Sequence, residues 1–216
     1  MTDMACIAVE MPDHCILNTH DYVIAGVNGQ PYFDSAAFGL TPITQRGDCS
    51  RGYICTYVIS ENRVYLHNLQ VVLGQYVVEG CFANVIPHQG PPINGVVPSV
   101  NQSQWAFFTN SYEAIGLEVP FTGGLLLVDG CSEEVRILHV LNVPGVNKLH
   151  LRSPTPWNYT TIIELVCEAG KLLKVRDVSQ RVAEIRNKRM RREELKGWID
   201  STFRFDYDLL ERRGEG

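Results

Sequence analysis

The candidate reactive and ligand-binding residues of this sequence are scattered, and two of them lie in segments with the composition of loops. Cys49 lies in the polar segment TQRGDCSRG, and His88 begins the segment HQGPPING, in which Pro, Gly and Asn favour turns. Loops that a rigid scaffold positions often carry binding groups. We therefore expect Cys49 and His88 to be candidate binding residues. The alternative is that Cys49 is a packed, reduced thiol and that His88 is a structural side chain.

The sequence contains no motif that would assemble such groups into a catalytic centre. It has no G-x-S-x-G, no H-E-x-x-H and no glycine loop of the kind that binds phosphate. The seven cysteines form no C-x-x-C pair, and none of them stands at zinc-ligand spacing from a histidine. We therefore predict no catalytic residue, no metal and no cofactor, and the sequence favours a protein that is not an enzyme.

A basic segment follows the part of the chain that is rich in strand-forming residues. Between residues 181 and 196 there are seven basic and three acidic residues, and apolar residues recur at helical spacing after Ser179. The pattern predicts an amphipathic helix that packs on its own domain or on a partner protein. Nucleic acid is a further alternative, because Lys and Arg contact phosphates. The candidate binding residues here are Arg189, Arg191, Arg192 and Trp198.

The secondary structure before residue 178 can be predicted from the alternation of apolar and polar side chains. Apolar and polar residues alternate with a period of two, and short polar clusters interrupt the alternation, which is typical of β-hairpins. Eight strands in such hairpins favour two packed sheets or a closed roll, because a flat sheet leaves its edges exposed. The predicted hairpins lie at 22–37, with a turn at Asn28-Gly29, and at 51–74, 122–145 and 160–178.

Two of these hairpins share a pattern that suggests an internal duplication. Residues 122–145 overlay residues 51–74 without a gap and share two glycines and two valines with them. The phrases FGLTP and IGLEVP precede the two hairpins in the same order. We therefore predict possible copies at 22–74 and 107–178, with the Pro- and Gly-rich residues 85–103 as a loop between them.

Length and composition agree with one β-rich domain and an appended helix. A hydrophobic content of 45% and a charged content of 20% in 216 residues are those of a globular protein. We predict a mainly β (α+β) fold, an antiparallel sandwich or roll of paired hairpins over residues 1–178. A C-terminal amphipathic helix in residues 179–216 would pack on this domain or on a partner.

The distribution of apolar residues and charges predicts the cellular location of the protein. No apolar run approaches the roughly 20 residues that a membrane-spanning helix needs, and the first residues contain acids where a secretion signal has basic residues. We predict a cytoplasmic protein with no membrane association. The net charge of -5 makes nucleic acid an unlikely partner for the whole molecule.

Several phrases resemble those of a group of bacterial proteins. RGYICTYVISENRVYL, FTGGLLLV and IIELVCEAGKLLKV are similar to segments of small bacterial β-hairpin-repeat proteins of unknown function. The resemblance covers residues 22–178 and its motifs are structural. It implies a β-rich cytosolic domain, and it implies no activity and no site residue.

Three hypotheses about function follow. The first is a non-enzymatic binding protein of bacterial or phage type that sequesters or docks a protein partner, in an immunity or defence-accessory role, or forms a homo-oligomer. An acidic body that could meet a basic partner favours it. The second is a small-molecule-binding or hydrolytic domain with a pocket between the two β copies, bordered by residues 85–103 and by Cys49 or His88. The third is nucleic-acid binding through the basic helix 181–196.

Overall fold

The computed structural model describes residues 11–29, 33–44, 49–79, 82–103, 105–131 and 159–186, which form a mainly β structure. A 3-10 helix spans Ser35–Phe38, and a short helix, α1, spans Ser179–Arg186. The strands in chain order are β1 His14–Leu17, β2 His20–Gly29, β3 Tyr53–Ser60, β4 Arg63–Val71, β5 Gly74–Glu79, β6 Phe82–Pro87, β7 Ser99–Val100, β8 Asn110–Tyr112, β9 Leu117–Glu118, β10 Gly123–Cys131, β11 Tyr159–Glu168 and β12 Lys171–Asp177.

The main sheet closes on itself into a barrel of seven strands. The strand order is β12, β11, β10, β2, β1, β3 and β4, and β4 then pairs with β12 through Arg63 and Lys171. Bonds from Val64 N to Gly170 O and from Leu172 N to Asn62 O complete this closure. The prediction of a mainly β fold is confirmed, but the two-sheet sandwich is wrong. A closed barrel removes the exposed edges that led us to expect a second sheet.

Most of the ladders in the barrel are antiparallel, as predicted, with one exception. β1 runs parallel to β3, with Cys15 opposite Tyr57. Short strands β7, β8 and β9 extend the sheet beside β4, and β5 and β6 form a separate two-stranded sheet.

Tight turns account for two of the predicted hairpins. Glu61 and Asn62 join β3 to β4, and Ala169 and Gly170 join β11 to β12; all four have positive φ. Two-residue turns of this kind match the right-handed twist of the strands that they connect. The hairpins predicted at 51–74 and 160–178 are therefore confirmed.

The hairpin predicted at 22–37 is wrong. Asn28 and Gly29 do not turn; they extend β2 and pair with Gly124 and Gly123 of β10. β2 instead forms its hairpin with β1, through a turn at Asn18 and Thr19. Gly29 does have a positive φ, of +140°, but it has this conformation within the strand and not in a turn.

The region predicted as a loop at 85–103 contains more structure than its composition suggested. Residues 85–87 belong to β6, and Ile93 and Val96 exchange two backbone hydrogen bonds across a tight turn at Asn94-Gly95. The buried residues Thr109 and Asn110 hold the segment before this turn. The Asn110 side chain bonds to Gly90 N and His88 O.

β4 sends side chains into the barrel interior on both sides of an irregularity in its pairing. Val64 and Leu66 point inward, and so do Leu69 and Val71, because a bulge at His67 shifts the alternation by one residue. The interior also contains three buried thiols. These belong to Cys15, Cys55 and Cys167.

The outer face of β10 and β11 has an apolar cluster of its own. Val178 and Val182 of the α1 region pack against Leu126, Val128 and Ile162. Ser179 begins α1, and its hydroxyl bonds to the backbone of Ile162. The first turns of the predicted C-terminal helix are thus present and packed on the domain, while residues 187–216 lie outside the described residues.

The prediction of two copies stays a prediction. β10 pairs with β2 on one edge and with β11 on the other, so both edges of the strand are occupied over most of its length. The second strand that we predicted for a hairpin at 122–145 lies outside the described residues.

Candidate functional site

A cavity of about 770 Å³ opens where the end of β2, the start of β10 and the 3-10 helix meet. It reaches Leu66 of β4, a fully buried residue of the barrel interior, so it connects the surface with the core. Sites for small molecules typically measure about 300–1,000 Å³. The cavity therefore has the size of a small-molecule site.

The 3-10 helix supplies an aromatic wall. Phe33 and Phe38 stack almost parallel, with ring centroids 5.5 Å apart, and the edge of Tyr53 meets Phe33 at 5.2 Å. The helix is fixed at both ends. The Asp34 carboxylate accepts a hydrogen bond from Ala36 N at its start, and Gly39 ends it in the left-handed conformation. The two rings are thus held by local backbone structure.

A second wall is a crossing segment, residues 117–123, that leads from β9 into β10. Val119 N donates to Val64 O of β4, and Gly170 N of the β11–β12 turn donates to Phe121 O, so the segment is bonded to both hairpins that meet where the barrel closes. The Thr122 hydroxyl accepts a further bond from Ala169 N. Phe121 is 3% exposed and packs in the core. Because these bonds hold the backbone, the wall has a fixed shape before any ligand binds.

Two glycines allow the walls to approach each other. Gly29 of β2 lies opposite Gly123 of β10, and their φ values are +140° and +151°. Both glycines line the cavity, and the ring of Phe121 lies against them. Side chains at either position would occupy the space that the ring and the neighbouring backbone now fill.

The charged groups that line the cavity are carboxylates. Asp34 and Glu118 are both exposed and come from the two different segments that line it. Glu118 forms an ion pair with Arg63, whereas one oxygen of Asp34 accepts the helix-capping bond. Arg63 offsets the negative charge of Glu118, and the charge of Asp34 therefore leaves the lining negative.

The lining of the cavity offers apolar surface and hydrogen-bond acceptors. Among the described residues that line it there is no His, Cys, Lys or Ser, and the Thr122 hydroxyl is bonded to Ala169 N. A nucleophile needs a neighbouring base or a perturbed pKa to react. The arrangement can bury an apolar body against phenylalanine rings and can accept hydrogen bonds at its rim.

Of the residues predicted as binding candidates, Cys49 and His88 fall within the described residues, and neither lines this cavity. The Cys49 side chain is 2% exposed, and its thiol donates to Tyr53 O at 3.5 Å. His88 is exposed, and its backbone bonds to Leu73 and Asn110. Neither residue therefore belongs to this cavity. Their roles as binding residues stay predictions.

The other four candidates cannot be placed. Arg189, Arg191, Arg192 and Trp198 lie outside the described residues. The described helix α1 contains Arg181, which is exposed.

The sequence analysis did not predict the residues that line the cavity, although two similar phrases in the sequence contain several of them. The phrases FGLTP and IGLEVP contain Phe38 and residues 117–120, all of which line the cavity. We interpreted these phrases as marks of a duplication. The lining residues up to Leu66 lie within 22–74 and those from Leu117 onward lie within 107–178, the two segments predicted as copies.

A buried ion pair outside the cavity serves the fold. The Asp13 carboxylate accepts two bonds from the Arg51 guanidinium, at 2.7 and 3.1 Å, and one from Cys55 N at 2.8 Å. The Arg51 guanidinium lies 5.1 Å from the centre of the Tyr53 ring. These contacts attach the chain before β1 to the start of β3.

Among the described residues, no group of three or more His, Cys, Asp or Glu side chains is arranged to hold a metal ion. No helix within the described ranges is both long enough and apolar enough to cross a membrane.

Comparisons with protein-family models, with curated proteins and with solved structures found no match to this chain. The resemblance to small bacterial hairpin proteins therefore stays a prediction.

Proposed function

We propose that this protein is a non-enzymatic binding protein that holds a small, largely apolar molecule in the cavity between the 3-10 helix and the crossing segment. The observation that carries the proposal is a cavity of about 770 Å³ that extends from the surface to the buried Leu66 and has aromatic walls. Such a cavity is the feature by which small-molecule sites are usually recognised.

The rigidity of the walls supports this proposal. The 3-10 helix is capped at both ends, and the crossing segment is bonded to the turns that close the barrel. A preformed site loses little conformational entropy when a ligand binds. An aromatic ligand that buries about 250 Å² of apolar surface gains roughly 6 kcal/mol from this burial. We therefore expect dissociation constants of tens to hundreds of micromolar for simple aromatic probes.

The choice of binding over catalysis rests on the lining. Thr122 uses its hydroxyl to hold Ala169 N, and Asp34 uses a carboxylate oxygen to cap the 3-10 helix. Both groups have structural tasks. The hydrolytic alternative would need a nucleophile and a base within hydrogen-bonding reach of each other.

The proposal is tested with N-phenyl-1-naphthylamine, a neutral probe whose fluorescence rises in apolar surroundings. Ala37 is an exposed residue that lines the cavity, so Ala37→Trp fills the site without disturbing the core. Ala36→Trp is the matched control, because Ala36 is exposed on the same helix and does not line the cavity.

We expect the probe to bind the unmodified protein and Ala36→Trp with similar affinity, and to bind Ala37→Trp at least tenfold more weakly. Equal affinity for all three proteins, or no binding to the unmodified protein at probe concentrations up to solubility, contradicts the proposal.

A second candidate function is association with a second copy of this chain through the β5–β6 hairpin. Tyr76, Val78 and Ile86 are 52–62% exposed, and within the described residues neither strand pairs with a third strand on its outer edge. Exposed strand edges pair readily with an identical edge. Analytical ultracentrifugation is the test. A dimer that Val78→Lys dissociates supports this candidate, and a monomer at 100 µM chain, about the scale of a weak dimer, contradicts it.

The other hypotheses derived from the sequence keep their standing as proposals. Sequestration of a protein partner in an immunity or defence-accessory role, and nucleic-acid binding through residues 181–196, depend on groups of which most lie outside the described residues.

A further inference from the structure

We infer that the cavity selects organic cations, specifically molecules that join an aromatic or alkyl body to a protonated amine. This inference rests on the proposed function, because it names the chemical class of the ligand that the same cavity would take.

The first argument is the balance of charge at the cavity. Asp34 and Glu118 both line it, and among the described lining residues there is no Lys or Arg to match them. Arg63 pairs with Glu118 from outside the lining. Because Glu118 is paired with Arg63, the carboxylate of Asp34 sets the sign of the potential at the cavity.

The second argument is the hydrogen-bonding capacity of Asp34. A carboxylate has two oxygens and about four acceptor positions. Oδ1 accepts the bond from Ala36 N, and within the described residues no bond to Oδ2 is present. A protonated amine supplies the N–H donors and the positive charge that this oxygen lacks, and such charge-assisted bonds are about twice as strong as neutral ones.

The third argument is the aromatic wall next to this carboxylate. Phe33 and Phe38 flank Asp34 in sequence, line the same cavity and stack with their planes 6° apart. Aromatic faces attract cations because the ring quadrupole is negative there. The wall thus favours the apolar body of a ligand and also tolerates its positive charge, whereas it repels an anion.

The role of Glu118 differs from that of Asp34, and this difference makes the inference specific. Because Arg63 already pairs with Glu118, an incoming amine would have to compete with a guanidinium there. We therefore assign recognition of the amine to Asp34, and we expect Glu118 to contribute little to it.

The test uses three probes of matched shape that compete with N-phenyl-1-naphthylamine, namely 2-naphthylmethylamine, 2-naphthalenemethanol and 2-naphthoate. At pH 7 they are cationic, neutral and anionic. We expect the amine to bind about tenfold more tightly than the alcohol and the naphthoate to bind most weakly. In Asp34→Asn the preference for the amine should fall to less than twofold, while in Glu118→Gln it should remain.

Thermal unfolding and binding of the neutral alcohol verify that each variant still has an intact cavity. Raising the salt concentration to 0.5 M should reduce the preference of the unmodified protein for the amine, because ions screen the carboxylate.

The outcomes separate this inference from the proposed function. If the alcohol and the amine bind equally, or if Asp34→Asn keeps the preference, the inference is wrong and the binding function stands. If neither the neutral dye nor any of the three probes binds, both are wrong.

Discussion

Gly123 lies directly opposite Gly29, and a Cβ atom added to Gly123 would lie 2.2 Å from Asn28 O and 2.8 Å from the Phe121 ring. Two strands, β2 and β10, therefore approach each other at the wall of the cavity in a way that a residue other than glycine does not permit. The backbone at both positions has φ values that L-residues rarely adopt.

We expect Gly123→Ala to destabilise the protein by about 3 kcal/mol, because the methyl group meets fixed backbone atoms and because φ is unfavourable. Gly95→Ala is the matched control. Gly95 also has a positive φ, of 79°, but a Cβ there has open space around it, so a loss of about 1 kcal/mol from the backbone term alone is expected. Urea unfolding measures the loss of stability in each of the two variants. Equal losses in the two variants would show that the contact with Asn28 and Phe121 costs nothing.

The ion pair of Asp13 with Arg51 should contribute more to stability than the ion pair of Glu118 with Arg63. The Asp13 side chain is 1% exposed, while that of Glu118 is 44% exposed. Removing one partner of a buried pair typically costs about 3 kcal/mol, and removing one of an exposed pair costs less than about 1 kcal/mol. We expect Asp13→Asn and Glu118→Gln to differ accordingly in their free energies of unfolding. Similar small losses for both would contradict this ranking.

The Thr109 hydroxyl satisfies two buried backbone groups at once. It accepts a hydrogen bond from Leu73 N at 2.7 Å and lies 2.8 Å from Leu73 O, to which it donates. Thr109→Val keeps the shape but leaves both groups of Leu73 without this partner, and a loss of about 2 kcal/mol is expected. Thr109→Ser retains the hydroxyl and should cost less than about 1 kcal/mol. Chemical denaturation of the two variants checks the difference, and an equally large loss in Thr109→Ser would assign the effect to the methyl group.

The core thiols should make stability fall in alkaline solution. Burial raises the pKa of Cys15 and that of Cys167 from 9.0 to about 12. Above pH 9 the unfolded chain releases these protons while the native chain retains them. The stabilisation is therefore complete below pH 9 and decreases as the pH rises from 9 to 12, by about 1 kcal/mol per thiol between pH 9 and 10.

Urea titrations between pH 8 and 10 on the unmodified protein and on Cys15→Ala/Cys167→Ala measure this term. The variant is less stable at pH 8 because it loses buried volume, but its stability should decline less steeply with pH. Parallel slopes would mean that the two thiols ionise equally in both states.

Local patterns predicted the parts of this fold that local forces stabilise. Glu61-Asn62 and Ala169-Gly170 lie between runs of β-forming residues, and both became tight turns. Asn28-Gly29 carries the same local signal, yet it extends β2, because pairing with β10 satisfies its backbone. A sequence pattern cannot distinguish these cases, since the partner strand is almost a hundred residues away.

The cavity was beyond prediction for a similar reason. Phe38 and Leu117 are far apart in sequence, and the residues around each of them give no sign that it lines a cavity. They line one cavity only because the fold brings the 3-10 helix, the end of β2 and the crossing segment together. Cys49 illustrates the reverse error, since a polar neighbourhood in sequence surrounds a thiol that is buried in the structure.

Sequence patterns were sufficient to predict a mainly β protein with hairpins at 51–74 and 160–178 and a helix that starts near Ser179. Alternation, turn residues and helical spacing are local properties, so they could be recognised in the sequence. The closure of the sheet into a barrel, the contact of Gly29 with Gly123 and the cavity shared by Asp34 and Glu118 became visible only in the folded chain. These relationships depend on contacts between distant segments, and packing energy across the whole chain selects them.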